Sequence, residues 1–120
     1  MREKDEAREE RIYMEAVVDA HDSEERALGW YYYLEDKIMF PFDAECISAD
    51  KRTPLQPGER VKVLKMSGED FCEHDMFVDI LWNDRPLAIP LALVLPVNAD
   101  ENTDEAVGDW HYWKDQGYLF

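Results

Sequence analysis

A chain of 120 residues is the length of one ordinary domain, and it carries 28 Asp and Glu against 13 Lys and Arg, for a formal net charge of −15 at pH 7. That charge argues against binding to nucleic acid, because Lys and Arg are needed to replace the phosphate counterions, and against anionic membranes. It favours divalent cations or a basic protein as partners, while a hydrophobic content of 46% argues against disorder for the body of the chain.

The first eleven residues are almost all charged, with mixed signs, so a frayed helical start or disorder is expected for residues 1–11. They include no apolar stretch of the kind that a secretory signal needs, so we expect a cytoplasmic protein. The longest apolar run, residues 87–97, is shorter than a membrane span and contains two prolines. Cys46 and Cys72 are too few for a disulfide scaffold and are expected to be reduced thiols.

Two helices are predicted next. Residues 12–20 place apolar side chains at helical spacing, and their acids Glu15 and Asp19, four residues apart, share a face and repel each other. Ser23, which follows Asp22 in a turn, can cap a second helix that runs through four consecutive aromatic residues at positions 30–33. The Phe-Pro-Phe stretch at positions 40–42 ends that helix, because the residue before proline is pushed out of the α region.

The middle of the chain has the alternation typical of short strands. Strands are predicted at residues 43–48, 59–66, 76–82 and 86–90, with a tight turn at residues 83–85. A final helix is predicted from Thr103 to Trp113, with Gly117 as its stop and an aromatic tail that folds back onto the core. The predicted fold is a single α+β domain over residues 1–120, in which N-terminal helices and a C-terminal helix pack on a small SH3-like antiparallel barrel or sheet.

Several kinds of chemistry find little support in the residues. Nothing follows the EF-hand loop pattern, and the pair Cys72 and His74 has no second close pair to complete a zinc site. No nucleophile with its base, and no glycine-rich phosphate loop, accompanies the carboxylates, so we predict that the protein is not an enzyme. The aromatic residues at helical spacing favour core packing over a stacking surface for bases or sugars.

The positions of some carboxylates favour a cation. Glu35 and Asp36 fall in the last turn of the predicted aromatic helix, where the helix dipole is negative and only Lys37 is near to offset them. Asp109 is embedded between Gly108 and an aromatic block, and Asp75 lies just before a strand. The alternative reading is that these acids form a solvated face.

Two motifs, GWYYYLED at positions 29–36 with the Phe-Pro-Phe stretch after it and DWHYW at positions 109–113, resemble the cyanobacterial calcium-binding protein family, the CcbP-like proteins. The similarity extends over nearly the whole chain. It implies a non-EF-hand protein that binds Ca²⁺ through scattered carboxylates, for sensing, buffering or sequestration in calcium signalling. With the resemblance and the positions above, the predicted ligands are Glu35, Asp36, Asp109, Asp75 and Asp19. The alternative function is an acidic SH3-like adaptor that binds a basic protein partner.

Overall fold

The computed structural model describes residues 4–118 and 120. In that part of the chain it has three α-helices and five strands, with short π and 3₁₀ turns between them. In chain order the elements are α1 Glu6–Arg11, a π-helical turn Ile12–Ala16, α2 Ser23–Lys37, β1 Phe42–Cys46, β2 Arg60–Met66, a 3₁₀ turn Glu69–Cys72, β3 Phe77–Trp82, β4 Arg85–Pro90, a 3₁₀ turn Leu91–Leu93, β5 Val94–Pro96 and α3 Glu101–Asp115. The α+β class predicted from the sequence is confirmed.

The strands form one antiparallel sheet in the order β4-β3-β2-β1-β5. The β3–β4 hairpin turns at Asn83 and Asp84, whose positive φ angles of 49° and 63° suit the right-handed twist of a two-residue hairpin. The closed SH3-like barrel is not confirmed, because β4 and β5 are the two edges of an open sheet. Strand β5 was not predicted, since three residues give too short a pattern to show alternation.

Aspartates, rather than the predicted Ser23 and Thr103, cap the two long helices. Asp22 accepts a hydrogen bond from the Glu25 N–H at 2.8 Å, and Asp100 accepts one from the Thr103 N–H at 3.1 Å. The Thr103 hydroxyl instead accepts a hydrogen bond from the Met39 N–H at 2.9 Å, which ties α3 to the segment that follows α2. Helix α2 ends at Lys37, before the proline, as the sequence predicts.

The N-terminal segment of the described chain begins with a helix. Residues 6–11, for which a frayed helical start or disorder is expected, form α1, and the helix continues into the π-helical turn that ends at Ala16. Residues 1–3 lie outside the described part of the chain. Helix α1 has no buried residue, so its attachment depends on polar contacts of its side chains.

The core forms where the two aromatic motifs meet. Trp30 of α2 packs against Trp110 and Trp113 of α3, with ring centroids 5.0 and 5.5 Å apart, and both tryptophans at 30 and 110 are buried. Edge-on and tilted ring pairs of this kind add to the stabilisation that burial alone provides. Tyr32, by contrast, is 51% exposed. The packing of α2 on α3 therefore fixes where the acids that flank the aromatic residues emerge on the surface.

Both cysteines are buried free thiols, and burial raises the pKa of Cys72 to about 11. None of the helices in the described part of the chain is at once long enough and apolar enough to cross a membrane.

Candidate functional site

The carboxylate of Asp109 is the centre of an ion-pair cluster between α1, α2 and α3. Its side chain is fully buried, and its two oxygens accept hydrogen bonds from Arg11 Nε at 2.9 Å and Nη2 at 2.7 Å. The Tyr33 hydroxyl donates to Asp109 Oδ2 at 2.6 Å, and Arg8 Nε lies 3.3 Å from Oδ1. The hydrogen bonds to Asp109 raise the pKa of Arg11 above its ordinary value. Arg11 thus makes a bidentate contact with Asp109, which is the strongest geometry for an arginine–carboxylate pair.

The same cluster continues on both sides of Asp109. Lys37 donates to Glu105 and, at 3.0 Å, to the Tyr33 hydroxyl. The contact with Lys37 holds the pKa of Glu105 below its ordinary value. Burial alone would raise the pKa of Glu9, but the hydroxyls of Tyr112 and Tyr118, which donate to it at 2.6 and 2.7 Å, lower it overall.

A second group of acids lines a surface depression of about 810 Å³ between the end of the π-helical turn and the last turns of α2, which we call the acidic depression. Its lining residues are Glu15, Ala16, Val18, Gly29, Tyr32, Tyr33, Glu35 and Asp36. The two backbones can approach here because residue 29 is glycine: a Cβ at that position would lie 2.2 Å from the Ala16 carbonyl oxygen.

The electrostatics of the acidic depression favour a cation. Residues from the last turns of two helical segments, Ala16 of the π-helical turn and Asp36 of α2, line it, and helix C-termini carry partial negative charge. Among the described residues, those that line it include no Lys or Arg. Lys37, the base expected to offset Glu35 and Asp36, instead binds Glu105 in the ion-pair cluster. At a residue outside the lining, burial, which is the larger cause, and the charge of Glu35 together raise the pKa of Tyr31 to about 12.

The structure separates the five predicted ligands into three groups. Glu35 and Asp36 both line the acidic depression. Asp19 is exposed and directly follows Val18, a lining residue of the depression, and the backbone of Asp19 has a left-handed φ of 56°. Asp109 lies in the ion-pair cluster. Asp75 lies elsewhere, with Lys114 Nζ at 3.4 Å and Arg52 Nη1 at 3.9 Å.

Glu15 was missed as a candidate ligand. Glu15 and Asp19 are four residues apart in the sequence, but the helix ends at Ala16, so the two do not share a helical face. Of these two acids, Glu15 lines the acidic depression and Asp19 does not. Within residues 4–118 and 120, no three His, Cys, Asp or Glu side chains are grouped closely enough to hold a metal ion as they stand. The three acids of the depression are all exposed, so their side chains have rotamer freedom to converge on an ion.

Comparison with known proteins identifies the class. A calcium-binding protein family model, that of the CcbP proteins, matches residues 10–114 of the chain. The chain belongs to this family, which confirms the resemblance seen in its aromatic and acidic motifs.

Two solved structures are similar over almost the whole chain. The crystal structure of CcbP from Anabaena is 41% identical, with a TM-score of 0.89, and the match covers 99% of this chain and 98% of that one. A structure described as a calcium-binding protein in the calcium-binding form is 40% identical, with a TM-score of 0.86, covering 98% of this chain and 96% of the other. No curated protein sequence matches the chain.

Proposed function

We propose that this protein binds Ca²⁺ in the acidic depression, through the carboxylates of Glu15, Glu35 and Asp36. The observation that carries the proposal is that these three acids line one depression together with the last residues of two helical segments. Membership of a calcium-binding family supports the proposal, because a protein of such a family needs a cation site and the acidic depression is a candidate for it.

The donor set fits this ion. Ca²⁺ takes six to eight oxygen ligands from carboxylates, backbone carbonyls and water, and it tolerates irregular geometry. The described residues that line the depression include no Cys or His, the softer ligands that Zn²⁺ prefers. Its acids come from two segments of the chain, unlike the contiguous ligands of an EF-hand loop. Three carboxylates do not fill the coordination of Ca²⁺, so backbone carbonyls and water would complete the set.

The other predicted ligands, Asp19, Asp109 and Asp75, lie outside the lining of the acidic depression. Asp19 follows Val18 at the rim, so it can join the set if the loop after the π-helical turn adjusts. Asp109 and Asp75 stay predictions that the proposal does not use, because each faces basic side chains that an incoming ion would have to displace. We assign Asp109 instead the task of holding Tyr33, which also lines the depression, in place.

The role that follows is binding rather than catalysis. Ligands that come from exposed side chains and must converge suit an ion that is taken up and released, as in sensing, buffering or sequestration of Ca²⁺ in calcium signalling in the cytoplasm. Mg²⁺ should bind more weakly, because it demands near-ideal octahedral geometry and gives up its waters reluctantly.

Calorimetric titration of chelator-treated protein tests the proposal. Ca²⁺ should give a saturable isotherm, and the double variant Glu35→Gln/Asp36→Asn should weaken it at least about tenfold, since two anionic ligands are neutralised. Asp84→Asn is the matched control: it removes one carboxylate at the β3–β4 turn, where asparagine tolerates the positive φ. Equal weakening by the control would mean diffuse attraction to an acidic surface, and tighter binding of Mg²⁺ than of Ca²⁺ would also contradict the proposal.

A further inference from the structure

A second depression, of about 650 Å³, lies beside the N-terminal half of α2, and its character differs from that of the calcium site. Its lining residues are Ser23, Glu24, Ala27, Leu28, Tyr31, Glu69, Asp70, Cys72, Glu73 and His74. Ala27, Tyr31 and Cys72 are buried and form part of an apolar lining, and Leu28 adds a side chain that is 37% exposed. We call it the apolar depression.

Four acids lie at the rim of this apolar lining. Glu24 comes from α2, and Glu69, Asp70 and Glu73 come from the 3₁₀ turn after β2 and the residue that follows it. Among the described residues, those that line the depression include no Lys or Arg. The N-terminus of α2, the nearby feature that would favour an anion, is already capped by the carboxylate of Asp22.

More exposed apolar surface adjoins the depression. Phe71, between the rim residues Asp70 and Cys72, is 56% exposed. Tyr32, one helical turn after Leu28, is 51% exposed, and its hydroxyl donates a hydrogen bond to Glu69. Exposed aromatic and aliphatic side chains next to a concave apolar surface are typical of a site that receives another molecule.

We propose that the apolar depression docks a basic segment of another protein, with an aliphatic or aromatic anchor residue against Ala27, Leu28 and Tyr31. Lysine or arginine side chains that flank the anchor meet Glu24, Glu69, Asp70 and Glu73. The charge complementarity decides the occupant: a second copy of this chain, at −15, would bring like charge to an acidic rim, whereas a basic segment neutralises it. This docking goes beyond the proposed calcium binding and does not rest on it, because the lining residues of the two depressions are different.

The experiment uses the full chain and a synthetic helical peptide of leucine and lysine with one apolar face, titrated by calorimetry at low and at physiological salt. Leu28→Ser should weaken binding about tenfold, because the anchor loses an apolar partner. Leu95→Ser is the matched control, since Leu95 on edge strand β5 is 41% exposed and lies outside the depression, and it should leave the affinity unchanged. Glu69→Gln/Glu73→Gln should weaken binding and reduce its salt dependence.

Two results would overturn the proposal: no saturable binding, or binding that both leucine variants leave equally strong and that physiological salt removes. Each titration is repeated with chelator and with Ca²⁺. Peptide binding should persist in chelator, so a loss of calcium binding alone counts against the proposed function and leaves the docking surface standing.

Discussion

Two groups of carboxylates lie on the two sides of the aromatic motif of α2, and they have opposite surroundings. In the ion-pair cluster, Asp109 and Glu105 face Arg11, Arg8 and Lys37. In the acidic depression, the described lining residues bring the acids together with tyrosines and helix C-termini, and with no Lys or Arg. Tyr33 reaches both groups, since it lines the depression and donates to Asp109.

The contrast between the two groups shows why one carboxylate stabilises the fold while others stay available to bind a cation. Asp109 is buried and accepts three hydrogen bonds from Arg11 and Tyr33, so its charge is compensated and its position is fixed. Glu35 and Asp36 are exposed at the negative end of α2, and their neighbour Lys37 serves the other group. Among the described residues, the acids of the acidic depression therefore have no Lys or Arg in its lining, whereas those of the ion-pair cluster face three basic side chains.

The largest effect expected is from Asp109→Asn. Removing one partner of a buried ion pair costs about 3–5 kcal/mol, and we expect about 3 kcal/mol because the side chains of Arg11 and Arg8 remain 22% and 26% exposed. Urea unfolding measures the loss, and amide exchange should show α1 opening first, since α1 buries no residue of its own. A change below about 0.5 kcal/mol would mean that Asp109 is not the anchor of α1.

Gly29→Ala should have the next largest effect. A Cβ at position 29 would lie 2.2 Å from the Ala16 carbonyl oxygen, and this backbone atom cannot move aside as the end of a flexible side chain can. We expect about 2 kcal/mol of destabilisation from the overpacking, although alanine has the higher helix propensity. Gly68→Ala is a control in which the added Cβ meets only the side chain of Asp70. Unchanged stability and unchanged calcium affinity in Gly29→Ala would show that the close approach does not shape the depression.

The sequence predicted the elements well, because hydrophobic alternation and capping residues are local signals. The aromatic helix, four of the strands and the C-terminal helix lie within a few residues of their predicted bounds. The attachment of α1 could not be predicted in this way, because α1 and the residues next to it are held by residues about 100 positions away, at Asp109, Tyr112 and Tyr118. The charge pattern of the first eleven residues does not indicate which distant residues will bind them.

The candidate site was predictable only in part, for the same reason. The position of Glu35 and Asp36 at a helix end follows from the local sequence and holds in the structure. Which acids have cationic neighbours is a tertiary fact, so Asp109 seemed as available as Asp36, and the importance of Glu15 depended on where the π-helical turn ends. Glu9 belongs to the charged stretch of residues 1–11, and its charge gives no sign that two tyrosine hydroxyls donate hydrogen bonds to it.

Acid should weaken the ion-pair cluster, by less than either substitution above. The pKa values of Glu9 and Glu105 are lowered in the folded protein, so their stabilisation is full above the ordinary value of 4.5 and is lost as the pH falls through the lower folded values. We expect the free energy of unfolding to decrease below about pH 4.5. The decrease should be smaller in Glu9→Gln and Glu105→Gln, and a Glu10→Gln control at an exposed neighbour should retain it in full. Identical acid profiles for all variants would contradict the assignment.

The smallest effect, and the one with the opposite sign, is expected from Asp36→Asn without Ca²⁺. This change removes a carboxylate from a group of like charges at the negative end of a helix, so stability should rise by at most about 0.5 kcal/mol, whereas Asp109→Asn lowers it. Thermal unfolding in chelator measures the difference, with Asp84→Asn at the hairpin turn as the neutral reference. In Ca²⁺ the order should reverse: wild type gains melting temperature by mass action beyond what the same ionic strength of NaCl provides, and Asp36→Asn gains less. If Asp36→Asn is destabilising in chelator, then Asp36 already has a compensating partner, and the contrast between the two groups of carboxylates does not hold.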